Sequence, residues 1–288
     1  MAAVPHTRRV VAATVVAMVA FASNSILCRL ALAEASIDPA SFTGIRVASG
    51  AVMLALIVAA SKRGGRAAAP PSRAGWISAF FLFLYAIAFS WSYVTLSAGT
   101  GALILFGCVQ ATMWLTAWWS GVRPRWVEWL GLTLALAGLV YLVRPGIAAP
   151  SPAGAALMAG AGVSWGVYSL RGRGSPDPLS DTARNFLCAV PFAAFACVLA
   201  VTRAHAERDG VVYAIVSGAL SSGVGYVIWY TALRGLSATR AATVQLSVPV
   251  IAALGGVIFL GETFSLRLAL AAVMILGGIA LALATHRR

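Results

Sequence analysis

Charge is scarce in this chain: 10% of its 288 residues are Asp, Glu, Lys or Arg, whereas 60% are hydrophobic and the mean hydropathy is +0.89. A soluble domain carries about 25% charged residues, so a soluble globular fold is excluded. Lys62 is the only lysine and lies between Ser61 and Arg63, so the Gly-Lys-Ser/Thr of an ATP-binding Walker A loop is missing. Carboxylates are few as well. Glu34, Asp38, Glu128, Asp177, Asp181, Glu207, Asp209 and Glu262 all fall in connections or at helix ends, and His6, His205 and His286 are terminal or in a loop. An intramembrane metallo- or aspartyl enzyme needs such groups at depth, so the chain reads as a non-enzyme without cofactor or metal. Four cysteines (Cys28, Cys108, Cys188, Cys197) lie within apolar runs without metal-ligand spacing and read as buried, inert thiols.

Gly162-Val163-Ser164-Trp165-Gly166 matches the Gly-x-Ser-x-Gly of serine hydrolases. That motif works on a strand-turn-helix with a histidine partner. Here it lies inside an apolar run, where close helix packing explains the glycines.

What the chain does have is length of apolar sequence. Spans of about 20 residues with short connections leave room for roughly ten helices, and ten runs are visible: 10–32, 40–60, 76–96, 99–120, 126–143, 153–170, 183–202, 211–233, 240–260 and 266–285. The first run could also be read as a signal peptide ending at Ala31-Leu32-Ala33. Its length from Arg9 and the position of Arg29 favour a retained helix.

The net charge of +13 would point to nucleic acid on a soluble protein. Because the basic residues occupy the gaps between apolar runs, the expected partner is membrane lipid, not nucleic acid. With the N-terminus inside, 15 of the 21 basic residues fall on the cytoplasmic side, including Lys62, Arg63 and Arg66. Both termini are therefore expected in the cytoplasm, in a bacterial-type inner membrane. Trp76, Trp118, Trp119, Trp126 and Trp129 at inner helix ends, and Trp91, Tyr93, Tyr141 and Tyr213 near outer ends, read as interfacial belt residues.

The chain also repeats itself. An offset of 140 aligns Leu96-Ser97-Ala98 with Leu236-Ser237-Ala238, and it carries Ala102 onto Ala242, Gly121 onto Gly261 and Gly138 onto Gly278. Residues 1–147 and 148–288 then form two five-helix repeats. Since five is odd, the second enters the membrane from the opposite side, an inverted-topology arrangement that usually holds a substrate site where the halves meet. Asp38-Pro39 followed by Arg46 corresponds to Asp177-Pro178 followed by Arg184. Both arginines read as snorkelling anchors paired with an acid or a lipid headgroup.

Ala232-Leu233-Arg234-Gly235-Leu236-Ser237-Ala238, then Ser247-Val248-Pro249-Val250 and Phe259-Leu260-Gly261-Glu262, together with Arg46 and Ser164-Trp165, resemble the ten-helix EamA-type branch of the drug/metabolite transporter superfamily. The first half departs from the pattern, with Val109 in place of a proline and Val122 in place of an acidic residue. Within the superfamily the chain is most similar to the YddG-type aromatic amino acid exporters, by its length, aromatic third helix and polar first helix. The resemblance implies a basket of helices one to four and six to nine around a central cavity, with helices five and ten at the periphery.

Polar groups at mid-helix depth must bond another helix or a cavity solute. They are Asn24 and Ser25, Tyr85, Gln110, Ser164, Ser221, Ser222 and Tyr226, Gln245 and Ser247. A serine can bond back to its own helix, whereas the carboxamides have more groups to satisfy. Tyr85, Trp114, Trp165, Tyr168 and Tyr226 lie too deep for a belt and would suit an aromatic or amphipathic solute, or ordinary packing. Pro249 is expected to kink the ninth helix. The expected function is export of small amphipathic metabolites, aromatic and neutral amino acids first, with a permease for another metabolite or cationic drug as the alternative.

Overall fold

The computed structural model describes residues 4–61, 72–121, 125–145, 149–172, 175–236, 241 and 244–284. The basic run at 62–66 and Val122 lie outside the described residues. The fold is all-helical: α1 (Val4–Ala33), α2 (Pro39–Ala60), α3 (Arg73–Tyr93), α4 (Ala98–Trp119), α5 (Trp126–Val143), α6 (Pro152–Arg171), α7 (Pro178–Leu199), α8 (Arg208–Leu233), α9 (Ser247–Leu260) and α10 (Leu266–Ala284). Eight of these are long and apolar enough to cross a membrane, and α6 and the shorter α9 complete the set. The protein is a multi-pass membrane protein.

Local chemistry explains the helix ends. Asp38 accepts the N–H groups of Ala40 and Ser41, with Pro39 opening α2, and Asp177 with Pro178 does the same for α7 through Ser180. Both are N-caps with proline where its missing N–H costs nothing. Helix α7 thus starts at Pro178, ahead of the apolar run at 183, because its capped first turn, which carries Asp181, lies outside the hydrophobic stretch. Gly121 and Gly261 follow α4 and α9 with φ of +89° and +63°, a left-handed conformation that only glycine takes without strain. The 140-residue offset superposes these same two glycines.

Helix packing follows a regular scheme. Helix α3 packs on α6 and α8 on α1; α4 packs on α6 and α9 on α1; α3 packs on α7 and α8 on α2; α2 packs on α7 and α5 on α10. Adding five to every helix number returns the same pairs. Helices α5 and α10 approach each other at Gly131 and Gly278, where a Cβ on either would run into the other's carbonyl oxygen. Gly162 brings α6 onto α4 similarly: a Cβ there would lie 2.6 Å from the Leu105 carbonyl oxygen. The Gly-x-Ser-x-Gly match is therefore a helix-packing surface.

Two features depart from the run-based expectation. Within α8, residues Ser217–Val224 form a π-helical stretch. Helical bonding ahead of α9 breaks at Leu246, and Pro249 sits in the first turn of the resumed helix. Proline at 249 cannot donate to the carbonyl of residue 245, which accounts for a break at this point.

Candidate functional site

A cavity of about 840 Å³ runs between the helices, within the range of small-molecule sites. Of the residues read from the sequence, Asn24, Ser25, Tyr85, Gln110, Trp114, Trp165, Tyr168, Tyr226 and Gln245 line it. Ser164 and Ser247 do not. Ser164 is buried on another face of α6, and the Ser247 hydroxyl donates back to the Val244 carbonyl at 2.7 Å.

The aromatic side chains form a connected wall. Trp165 stacks on Tyr226 with centroids 5.6 Å apart and planes 17° from parallel, and it lies 4.8 Å from Tyr85 and 5.4 Å from Tyr168. Phe21 adds a further face, 5.6 Å from Tyr226. Phe89 and Trp229 also line the cavity. They were missed, although Phe89 is four residues from Tyr85 and Trp229 three from Tyr226, spacings that share a helix face. Trp114 lies nearer the mouth than expected, edge to face with Trp129 at 4.6 Å.

Polar contacts tie the wall to its supports. The Ser217 hydroxyl of the π-helical stretch donates to Asn24 Oδ1 at 2.7 Å, and Ser23 and Ser221 hydroxyls meet at 2.7 Å. Both pairs join α1 to α8 where the latter's bonding pattern changes, a location at which π-helices often serve function. The first-half arginine needs a correction. Arg46 is not a snorkelling anchor: it is 3% exposed, donates from Nη2 to the Tyr85 hydroxyl at 3.0 Å, and stands 4.8 Å from the Phe89 ring. Its Nη1 is buried without a hydrogen-bond partner. Holding an uncompensated guanidinium away from water costs on the order of several kcal/mol, so its retention calls for a reason. Arg184, by contrast, pairs with Asp181 in the first turn of α7. Tyr93 is also corrected, from belt to core: it is fully buried and its hydroxyl donates to the Ala98 carbonyl.

The cavity reaches one end of the molecule and stops short of the other. Its wall includes Trp118, Glu128, Gly172, Ser175, Asp181 and Ala241, all where α4, α6 and α8 hand over to the next helix. Glu128 is 5% exposed, so one carboxylate expected at a helix end is enclosed beside the mouth. At the opposite end, Arg29 Nε lies 3.4 Å from Glu262, Arg29 also donates to the carbonyls of Tyr93 and Val94, and Glu262 accepts the Ala98 N–H that opens α4. Beside it, Asp38 accepts the His205 N–H and the Glu207 N–H donates to the Ser36 carbonyl. Burial alone would raise the Asp38 pKa, but the hydrogen bonds from Ser41, His205 and Ala40 outweigh it and hold the carboxyl below its usual range.

Comparison with known proteins agrees with this architecture. A protein of Pseudomonas aeruginosa described as uncharacterised is 50% identical over 277 residues, covering 96% of this chain and 95% of that one. The threonine/homoserine exporter RhtA of Salmonella typhimurium is 30% identical over 154 residues, covering 52% of this chain and 51% of its own. A solved crystal structure superposes with a TM-score of 0.68 at 21% identity, covering 96% of this chain and 99% of the other, which speaks to the fold alone. The EamA-like transporter family model matches twice, at residues 8–144 and again at 152–284, and the chain belongs to that family.

Proposed function

We propose that this protein exports small amphipathic metabolites, with aromatic and neutral amino acids as the leading substrates, across a bacterial-type inner membrane with both termini in the cytoplasm. The observation that carries the reading is the cavity itself: it is large enough for one such solute, walled by Trp165, Tyr226 and Tyr85, and it reaches one end of the molecule but not the Arg29–Glu262 end. An aromatic side chain gains contact area and offset stacking against such a wall. The similarity of about half the chain to a threonine/homoserine exporter supports amino acids as the class.

Transport is by alternating access between two repeats, residues 1–147 and 148–288, of opposite orientation in the membrane. The double family match and the exchange of helix pairs on adding five support this. In the proposed orientation the open mouth faces the cytoplasm, ready to load an exported solute. Movement is down the solute's own gradient. In liposomes containing the purified protein, labelled phenylalanine and tryptophan should enter faster than in protein-free vesicles, with small neutral amino acids next. A panel in which no amino acid crosses would overturn the substrate class.

A further inference from the structure

Arg46 stands behind Tyr85, and only Tyr85 of the pair reaches the cavity. Because the Tyr85 oxygen accepts from Arg46 Nη2, its own proton points elsewhere, and no described residue accepts it. The ionisable groups that face Arg46 are Tyr85, Cys28 and Tyr226, none of them a carboxylate. A positive charge in a poorly hydrated site, with one nitrogen unpaired, therefore acts on the cavity through a tyrosine hydroxyl that is polarised to donate.

We infer that Tyr85, polarised by Arg46, forms a subsite for the carboxylate of the transported solute. The Tyr85 hydroxyl is the contact and Arg46 is a positioning residue that supplies charge from behind. The stacked Trp165 beside Tyr85 then receives the apolar body of the same solute. The inference rests on the cavity being the substrate site, and it adds that the solute must present an anionic oxygen at this wall. A neutral isostere of the same shape would lose the charge-assisted bond and leave the guanidinium uncompensated.

The test compares phenylacetate with phenylacetamide, which differ in charge but little in shape, by ligand-induced thermal shift of the purified full-length protein. The wild type should bind phenylacetate about tenfold more tightly, the scale of a hydrogen bond to a charged group. Tyr85→Phe, which keeps the ring, should cut that preference to about threefold or less. Arg46→Gln should abolish the preference and Arg46→Lys should restore part of it, a pattern that a merely structural arginine would not produce. If Arg46→Gln does not fold, Tyr85→Phe decides. Equal affinity for the two probes in the wild type, binding of neither, or an unchanged preference in Tyr85→Phe would overturn the subsite. Carboxylate preference in a protein that moves no amino acid would instead overturn the substrate class and leave the subsite standing.

Discussion

The carboxylate of Glu262, two residues beyond α9, accepts the backbone N–H of Ala98 at 2.9 and 3.0 Å from its two oxygens, so the end of one helix caps the start of another 164 residues away. A carboxylate at a helix N-terminus meets unsatisfied N–H groups and the positive end of the dipole. Arg29 completes the tie from α1. The position that the 140-residue offset pairs with Glu262 is Val122, and the cavity is closed at the Glu262 end and open at the other. Under the proposed alternating access the closed end has to open, and this tie would have to break for it to do so.

Weakening that tie should expose the cavity to the far side. In a background without the four native cysteines, a cysteine at Ser25 should react slowly with an impermeant thiol reagent added outside. Adding Glu262→Gln should raise its labelling rate about tenfold, since hydrogen bonds to charged groups are worth about 1.5–3 kcal/mol. An unchanged rate would remove Glu262 from the closure.

Orientation is testable by the same chemistry. A cysteine placed at Gly65, in the basic run, should resist an impermeant reagent outside intact cells, whereas one at the exposed Ala206 should react. The reverse pattern would turn the protein over and with it the direction of export.

Acid should loosen the closed end. Asp38 has a folded pKa below its unfolded value, so its contribution to stability is present above the unfolded pKa and is lost as pH falls through the folded one. Asp38→Asn keeps an N-cap residue but no charge. It should melt at a lower temperature than the wild type at pH 7, and the difference should shrink as pH falls below about 4. A difference that does not change with pH would assign the effect to packing.

Much of the fold was legible because apolar length is a property of composition. The Asp-Pro pairs and the paired glycines at 121 and 261 carry their conformations openly in residue type. The π-helical stretch at Ser217–Val224 was not legible, since Ser-Gly sequence permits it but packing against Asn24 and Ser23 selects it. In the site, depth picked out Tyr85, Trp165, Tyr168 and Tyr226, but it passed over Phe89 and Trp229 and took in Ser164 and Ser247, which turn away, because depth does not reveal which side of a helix faces the cavity. Arg46 was misread for a related reason. An arginine near a helix end normally snorkels, and only tertiary contact with Tyr85 and Phe89 reveals that this one is enclosed.

The wall should discriminate by shape. Trp165→Ala removes the ring that joins Tyr85, Tyr168 and Tyr226. The KM for phenylalanine should rise about three- to tenfold, the scale of an aromatic pair, while that for threonine changes less than about twofold. Equal losses for both solutes would return Trp165 to ordinary packing.

The central claim is that solute crosses through this cavity down its own gradient, and flux without any driving ion tests it most directly. Vesicles loaded with unlabelled phenylalanine and placed in trace labelled phenylalanine, at equal pH and with no membrane potential, should take up label by exchange. An imposed pH gradient should drive no accumulation beyond equilibrium. The enclosed Glu128 beside the mouth is the carboxylate to suspect otherwise, because proton-coupled carriers usually hold such a group where solute passes. Exchange that is absent without a gradient, or uphill accumulation driven by pH and abolished in Glu128→Gln, would contradict the account.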